Sequence, residues 1–216
     1  LMGIVLALIS AASWGAGDFL GGLASRKLHQ FQVLVFSTSS SMLLVFLCAL
    51  LWGEHFPSSH NIVLAVLAGV CGAVGLAALY KGLSMGNAAL VAPVAGVVGA
   101  LIPTLVGIRI EGLPGGLQLL GFALSIAGIW IVSRSNDGDA SGSRDGLVMA
   151  LLAGLGFGGF LAFIAQVQGE QVFAPLVFSK LASVSFAFIL LRTRQFSIPK
   201  LKVSPVAILS GFLDAG

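Results

Sequence analysis

The chain has 216 residues, of which 57% are hydrophobic and 9% are charged, with 11 Lys and Arg residues against 8 Asp and Glu residues. Soluble domains contain about 45–50% apolar and about 25% charged residues, so this composition excludes a soluble globular protein and a disordered chain and indicates a membrane protein. The basic residues stand singly or in pairs between apolar runs, which excludes a nucleic-acid-binding patch and is typical of membrane topology signals.

The apolar runs have the length of membrane spans. A bilayer core about 30 Å thick needs about 20 apolar residues in a helix, and runs without polar alternation favour helices over barrel strands. The predicted fold is therefore an all-α membrane protein, a polytopic helical bundle. Seven whole spans and an eighth that meets the chain end are predicted at Met2–Ala24, Val33–Trp52, Ile62–Tyr80, Ala88–Ile108, Leu117–Ser133, Leu147–Val167, Val172–Leu191 and Val203–Gly216.

A polar linker over residues 134–145 separates two similar halves. It is rich in Ser, Gly, Asn and Asp, as exposed linkers are. The segment that starts at Gly3 aligns with the one that starts at Gly146, an offset of 143 residues. Two more matches follow at an offset of 142 residues, where Leu34–Ser37 recurs as Leu176–Ser179 and Leu64–Ala73 aligns with Val206–Ala215. Three matches in the same order predict an internal repeat.

The repeat predicts the architecture. The first copy covers residues 2–133 with five spans, and the second, incomplete copy covers residues 146–216 with about three. Because five is an odd number, the two copies must enter the bilayer in opposite senses, which predicts inverted repeats of five transmembrane helices. Since the second copy stops in its third helix, we expect the chain to be a truncated piece of a ten-helix protein.

The basic residues predict the orientation, because cytoplasmic loops carry an excess of Lys and Arg. Only Arg109 follows one of the spans 2, 4 and 6, and Lys180 lies within a span. The other nine follow spans 1, 3, 5 and 7, which predicts an extracytoplasmic N-terminus. These nine are Arg26, Lys27, Lys81, Arg134, Arg144, Arg192, Arg194, Lys200 and Lys202.

Three segments resemble a known family. They are Ala12–Gly15, Leu79–Val94 and Ile110–Ser133, and they are similar to the EamA repeat of the drug/metabolite transporter superfamily. Within the third segment, the family's short acidic turn and following Gly-spaced helix are matched by Glu111, Gln118, Gly121 and Gly128.

The resemblance implies a ten-helix carrier of two five-helix inverted repeats that moves small metabolites or amphipathic compounds across a bacterial inner (plasma) membrane. Many members of the family carry positive charge after the second span and have a cytoplasmic N-terminus. This chain departs from that pattern, because no basic residue follows its second span.

Three ionisable residues lie within the predicted spans, where each costs about 2.5–3.5 kcal/mol at mid-bilayer and therefore requires a partner or a use. Asp18 is either a structural carboxylate that reaches toward Arg26 or Lys27, or a protonatable group in a central cavity. Lys180 is a packing residue, a counter-charge to Asp18, or an anchor for an anionic substrate group. Asp214 replaces a glycine of the first repeat.

Two further residues are candidates for substrate binding. Thr38 stands where the second repeat has Lys180, within a hydroxyl-rich run that either binds substrate or packs helices together. Trp14 opens the segment that contains Asp18. No cofactor or metal site is expected, because Glu54, His55 and His60 share one short loop with a spacing that matches no helical pair of ligands.

These observations favour a secondary carrier that works by alternating access, and not an enzyme. No ATP-binding loop is present, so an ion or substrate gradient would drive it, with Asp18 as the coupling candidate. The expected partners are a small-molecule substrate, the bilayer and protons or another coupling ion. The alternatives are a non-transporting or inactive truncated membrane subunit and, less favoured, a membrane-embedded enzyme.

Overall fold

The computed structural model describes residues 2–85, 88–134, 140–197 and 205–215. Within these ranges all regular secondary structure is helical, and six helices are long and apolar enough to cross a membrane. The described apolar parts of two others are shorter, at Gly116–Gly128 and Pro205–Asp214. The prediction of an all-α polytopic membrane bundle is confirmed. The helices are α1 Met2–Ala24, α2 Gln30–Trp52, α3 Ser59–Ser84, α4 Ala88–Glu111, α5 Gly116–Arg134, α6 Ala140–Ile164, α7 Phe173–Thr193 and α8 Pro205–Asp214.

Polar caps start helices α2 and α3 about one turn before their apolar runs. His29 precedes α2, where its Nδ1 accepts from the Phe31 N–H at 3.4 Å and Gln32 Oε1 accepts from the His29 N–H at 3.0 Å. The Ser58 side chain accepts from the Asn61 N–H at 3.3 Å and so caps α3. Such caps satisfy N–H groups that have no partner within the helix. Hydropathy alone does not detect these turns, because they are polar.

The predicted linker is corrected by the structure. Helix α5 continues through Arg134, and α6 begins at Ala140, so residues 140–145 are helical and only residues 135–139 remain, which lie outside the described residues. Polar residues near a helix N-terminus favour this extension, because Ser and Asp are tolerated best in the first turns. The predicted start of the eighth span at Val203 also lies outside the described residues. The described helix begins at Pro205, a residue suited to the first helical position.

Helix α3 lies at the centre of the bundle. It packs on α6 and α7, while α8 packs on α1 and α2, and α2 also contacts α7. Two glycines permit the closest of these approaches. A Cβ at Gly69 in α3 would overlap the main-chain carbonyl of Ser179 in α7, and a Cβ at Gly211 in α8 would overlap that of Ser37 in α2. Small residues at such crossings are how membrane helices approach each other closely.

Apolar side chains divide between the interior and the outer surface of the bundle. Leu34, Val33 and Leu191 are buried in a core with Tyr80, whereas large residues such as Leu8 and Leu105 are more than half exposed. In a membrane protein the outward-facing leucines contact lipid, since acyl chains are as apolar as the core.

We predict that replacing Gly69 or Gly211 with Ala destabilises the protein by about 1–3 kcal/mol, because the added methyl group overlaps main-chain atoms that cannot move independently. Gly128→Ala is the matched control, since a Cβ there has nothing within 4 Å and only helix propensity changes, by about 1 kcal/mol in favour of Ala. Unfolding of the purified protein in detergent measures the difference. Equal stability of Gly211→Ala and Gly128→Ala would contradict the packing described.

Candidate functional site

A cavity of about 290 Å³ lies within the bundle and receives side chains from α1, α2, α3, α4, α6, α7 and α8. The residues that line it come from both sides of the predicted linker. All five candidates from the sequence analysis line this one cavity. They are Trp14, Asp18, Thr38, Lys180 and Asp214.

Lys180 and Asp214 form an ion pair inside the cavity. The Lys180 Nζ lies 2.8 Å from Asp214 Oδ2 and also donates to the Asp214 main-chain oxygen at 3.3 Å. Their side chains are only 12% and 15% exposed. Of the alternatives for Lys180, a direct ion pair with Asp18 is therefore not observed among the described residues. Asp214 is the partner of Lys180 because α8 brings its carboxylate to the ammonium group. The corresponding position of the first repeat is Gly72, which has no side chain.

Asp18 lines the same cavity but is left out of this ion pair. It is half-buried, and no described side chain forms an ion pair or hydrogen bond with its carboxylate. The structural alternative, a contact with Arg26 or Lys27, is not observed among the described residues. Among the described residues, two carboxylates and one ammonium group therefore line the cavity.

Two buried hydroxyl groups in the cavity wall differ in their bonding. Thr38 Oγ1 donates to the Leu34 carbonyl one turn earlier, at 2.7 Å. Ser179 is 1% exposed, and its hydroxyl has no partner among the described residues. Sequence reasoning missed Ser179, although its place directly before Lys180 was a usable signal.

A buried tyrosine joins the helices next to the cavity. The Tyr80 hydroxyl lies 3.2 Å from both Ser37 Oγ and Ser210 Oγ, and Ser210 in turn donates to the Gly17 carbonyl at 2.8 Å. Tyr80 is fully buried, and its ring occupies the space left by Gly21. These bonds connect α1, α2, α3 and α8. The sequence contained one signal for them, since Tyr80 is the only tyrosine of the chain and a phenol within a span needs a partner.

Apart from Ser183, the rest of the wall is apolar. Leu76, Leu79 and several Ala and Gly residues provide most of it, and Trp14, Phe157 and Phe160 add aromatic rings. A mostly apolar cavity with a few convergent polar groups is the general form of a small-molecule site.

Near the N-terminal end of α7, polar contacts join two loops. The Glu54 carboxylate accepts from the N–H groups of Val172, Phe173 and Ala174 at 3.0, 3.1 and 2.6 Å. Partial burial alone would raise the pKa of Glu54, but these three hydrogen bonds outweigh it and hold the pKa below its ordinary value of 4.5. A carboxylate is favoured at a helix N-terminus, so Glu54 caps α7 from another loop.

Two more side chains strengthen this connection. Asn61 donates from Nδ2 to the Gln168 carbonyl at 2.7 Å and accepts from the Gln168 N–H at 3.1 Å. Gln171 donates from Nε2 to the His55 carbonyl at 2.7 Å. The loop between α2 and α3 is thereby tied to the loop between α6 and α7.

Comparison with known protein families finds that residues 1–134 match the EamA-like transporter family. The match covers more than half of the chain. Neither the curated proteins nor the solved structures contain a match to this chain.

We predict strong coupling between Lys180 and Asp214. Lys180→Gln or Asp214→Asn alone leaves one charge without its partner in a low-dielectric interior and should destabilise the protein by about 3 kcal/mol. The double variant removes both charges and should recover part of that loss. Unfolding of the four proteins in detergent gives the coupling free energy, expected at about 1–3 kcal/mol. Additive effects of the two single changes would contradict the ion pair.

Proposed function

Because the chain belongs to the EamA-like transporter family, a member of the drug/metabolite transporter superfamily, we propose that it is a secondary carrier for a small metabolite or amphipathic compound. Membership in a transporter family also speaks against a membrane-embedded enzyme. The observation that carries the proposal is the cavity, because its polar groups converge from separate helices on one apolar chamber within the bundle.

Alternating access requires two halves that can move against each other around the site. The proposed inverted halves are supported by matching contacts, since α3 packs on α6 and α7 as α8 packs on α1 and α2. The agreement extends to single residues at the offset of 142. Gly69 meets Ser179, and Gly211 meets Ser37.

A second set of contacts supports the same relation. Ser13 donates to the Leu213 carbonyl at 2.8 Å, and a Cβ at Gly156 would overlap the Cys71 carbonyl. Gly156 is the counterpart of Ser13 at the offset of 143, and Leu213 is the counterpart of Cys71 at the offset of 142. In each proposed half, the first helix therefore packs on the third helix of the other half through equivalent positions.

Asp18 is the proposed coupling residue. Lys180 is engaged by Asp214, and no described side chain forms an ion pair with the Asp18 carboxylate. A carboxylate in a membrane interior is stabilised when it binds a proton or a cation. Its charge state would then differ between the loaded and the empty carrier, which is the requirement for coupling to an ion gradient.

The proposal places the protein in a bacterial inner membrane with its N-terminus outside. The basic residues support this orientation, because Arg26 and Lys27 lie exposed in the loop between α1 and α2, whereas the loop between α2 and α3 contains no Lys or Arg. The loops joined by Glu54 would then lie on the extracytoplasmic side.

We predict that Asp18→Asn abolishes uptake driven by a proton gradient and leaves equilibrative exchange intact. The measurement is uptake of individual labelled amino acids, amines and nucleosides into proteoliposomes, with and without an imposed pH gradient. Asp145→Asn is the matched control, because it makes the same chemical change at an exposed position outside the cavity.

Unchanged gradient-driven uptake by Asp18→Asn would reduce Asp18 to a structural residue. Absence of uptake by the unaltered protein for every compound would favour the non-transporting subunit instead.

We predict that a cysteine at position 55 reacts with a membrane-impermeant maleimide added outside intact cells, whereas a cysteine at position 27 reacts only after permeabilisation. The variants are His55→Cys and Lys27→Cys, made in a chain whose Cys48 and Cys71 are replaced by Ala. Both positions are exposed. The reverse labelling pattern would show that the N-terminus is cytoplasmic.

A further inference from the structure

The charges of the described residues around the cavity do not balance. Asp18, Lys180 and Asp214 line it, and their ionised forms sum to one negative charge. Lys180 forms its ion pair with Asp214 at 2.8 Å, so Asp18 is the carboxylate of the three that has no ion pair. An anionic ligand would meet two carboxylates and an ammonium that already has a partner. The electrostatics therefore favour a ligand with one positive charge.

A buried hydroxyl group adds a second, independent observation. Ser179 contributes to the cavity wall, is 1% exposed, and its Oγ has no hydrogen-bond partner among the described residues. A buried polar atom without a partner costs about 1–3 kcal/mol, and a ligand that donates a hydrogen bond to it removes that cost. An ammonium group is such a donor, and it has three N–H bonds to share.

The apolar part of the wall defines the rest of the ligand. Trp14, Phe157 and Phe160 contribute aromatic rings, which attract both a cation and another ring. The volume of about 290 Å³ lies at the small end of ligand pockets, which span about 300–1,000 Å³. A ligand of one ring with a short chain suits this space better than a large amphiphile.

We infer that the cavity binds a small organic monocation, a protonated amine with an aromatic or compact apolar body, whose ammonium group pairs with Asp18. The inference rests on the proposed transport function and names the class of substrate. Zwitterions and anions bind more weakly, because a ligand carboxylate meets no unpaired cation among the described residues that line the cavity.

Four probes with the same ring and different polar groups test the inference. They are phenethylamine, phenylalanine, phenylpropanoate and phenylethanol, which are cationic, zwitterionic, anionic and neutral at neutral pH. Binding to the purified full chain in lipid nanodiscs is measured by calorimetry without any gradient. Phenethylamine should bind at least about tenfold more tightly than phenylethanol, which corresponds to about 1.4 kcal/mol. Equal or tighter binding of the zwitterion or the anion would overturn the inference, and so would a failure of the amine to bind.

Variants connect the preference to the carboxylate. Asp18→Asn should make the amine and the alcohol bind equally, whereas Asp18→Glu should keep a preference for the amine, and Asp145→Asn should leave all four affinities unchanged. An amine preference that persists in a folded Asp18→Asn variant would overturn the assignment. If Asp18→Asn fails to fold, the Asp18→Glu variant decides instead, and loss of its preference for the amine would overturn the assignment.

The binding and transport measurements refute the ligand class and the carrier function independently. Tight amine binding without uptake into proteoliposomes refutes the proposed carrier and supports the inferred ligand class. Uptake of amino acids or nucleosides without any amine preference refutes the ligand class and supports the carrier.

Discussion

The arrangement of the bundle depends on crossings at which one helix main chain touches another, and two of them are the closest among the described residues. At Gly69 and Gly211 the absence of a side chain lets α3 approach α7 and lets α8 approach α2. In a bilayer the hydrophobic effect does not drive helices together, so close packing and interhelical hydrogen bonds must hold them. Ser183 and Ser40 provide such bonds, since their hydroxyls donate across these crossings to the Gly69 and Ile208 carbonyls at 2.7 and 2.9 Å.

The charged cavity follows from the same crossings. The contact at Ser179 fixes the position of α7 along its axis, and with it the position of Lys180, the next residue. On α8, Gly211 is one turn before Asp214, so the contact of Gly211 with α2 fixes the position of the Asp214 carboxylate. The ion pair is therefore a consequence of how closely the helices approach, and it leaves Asp18 as the cavity carboxylate without an ion pair among the described residues. This geometry links the packing of small residues to the proposed binding of a cation.

Polar contacts outside the spans join the loops at the ends of the helices, whereas the cavity lies between the helices. Glu54 caps α7 from the loop between α2 and α3, and Asn61 exchanges two hydrogen bonds with Gln168. Toward the other end of α7, Gln32 donates to the Ser197 carbonyl at 2.7 Å, and His29 stacks on Phe196 with ring centroids 3.9 Å apart. These side chains connect elements from both sides of the predicted linker. Their contacts therefore lie between the two proposed halves, which would move against each other during transport.

The sequence by itself determined the membrane class, the helices and the five candidates that meet in the cavity, because hydropathy and the cost of charge in lipid are local properties that each residue carries. Only the tertiary structure decided which charges pair. The choice of Asp214 over Asp18 as the partner of Lys180 depends on how helices far apart in the chain approach one another. The same holds for Ser179, whose hydroxyl has no partner within the described part of the chain because of how its neighbours are placed. It also holds for the polar first turns of α6, which hydropathy could not distinguish from a linker.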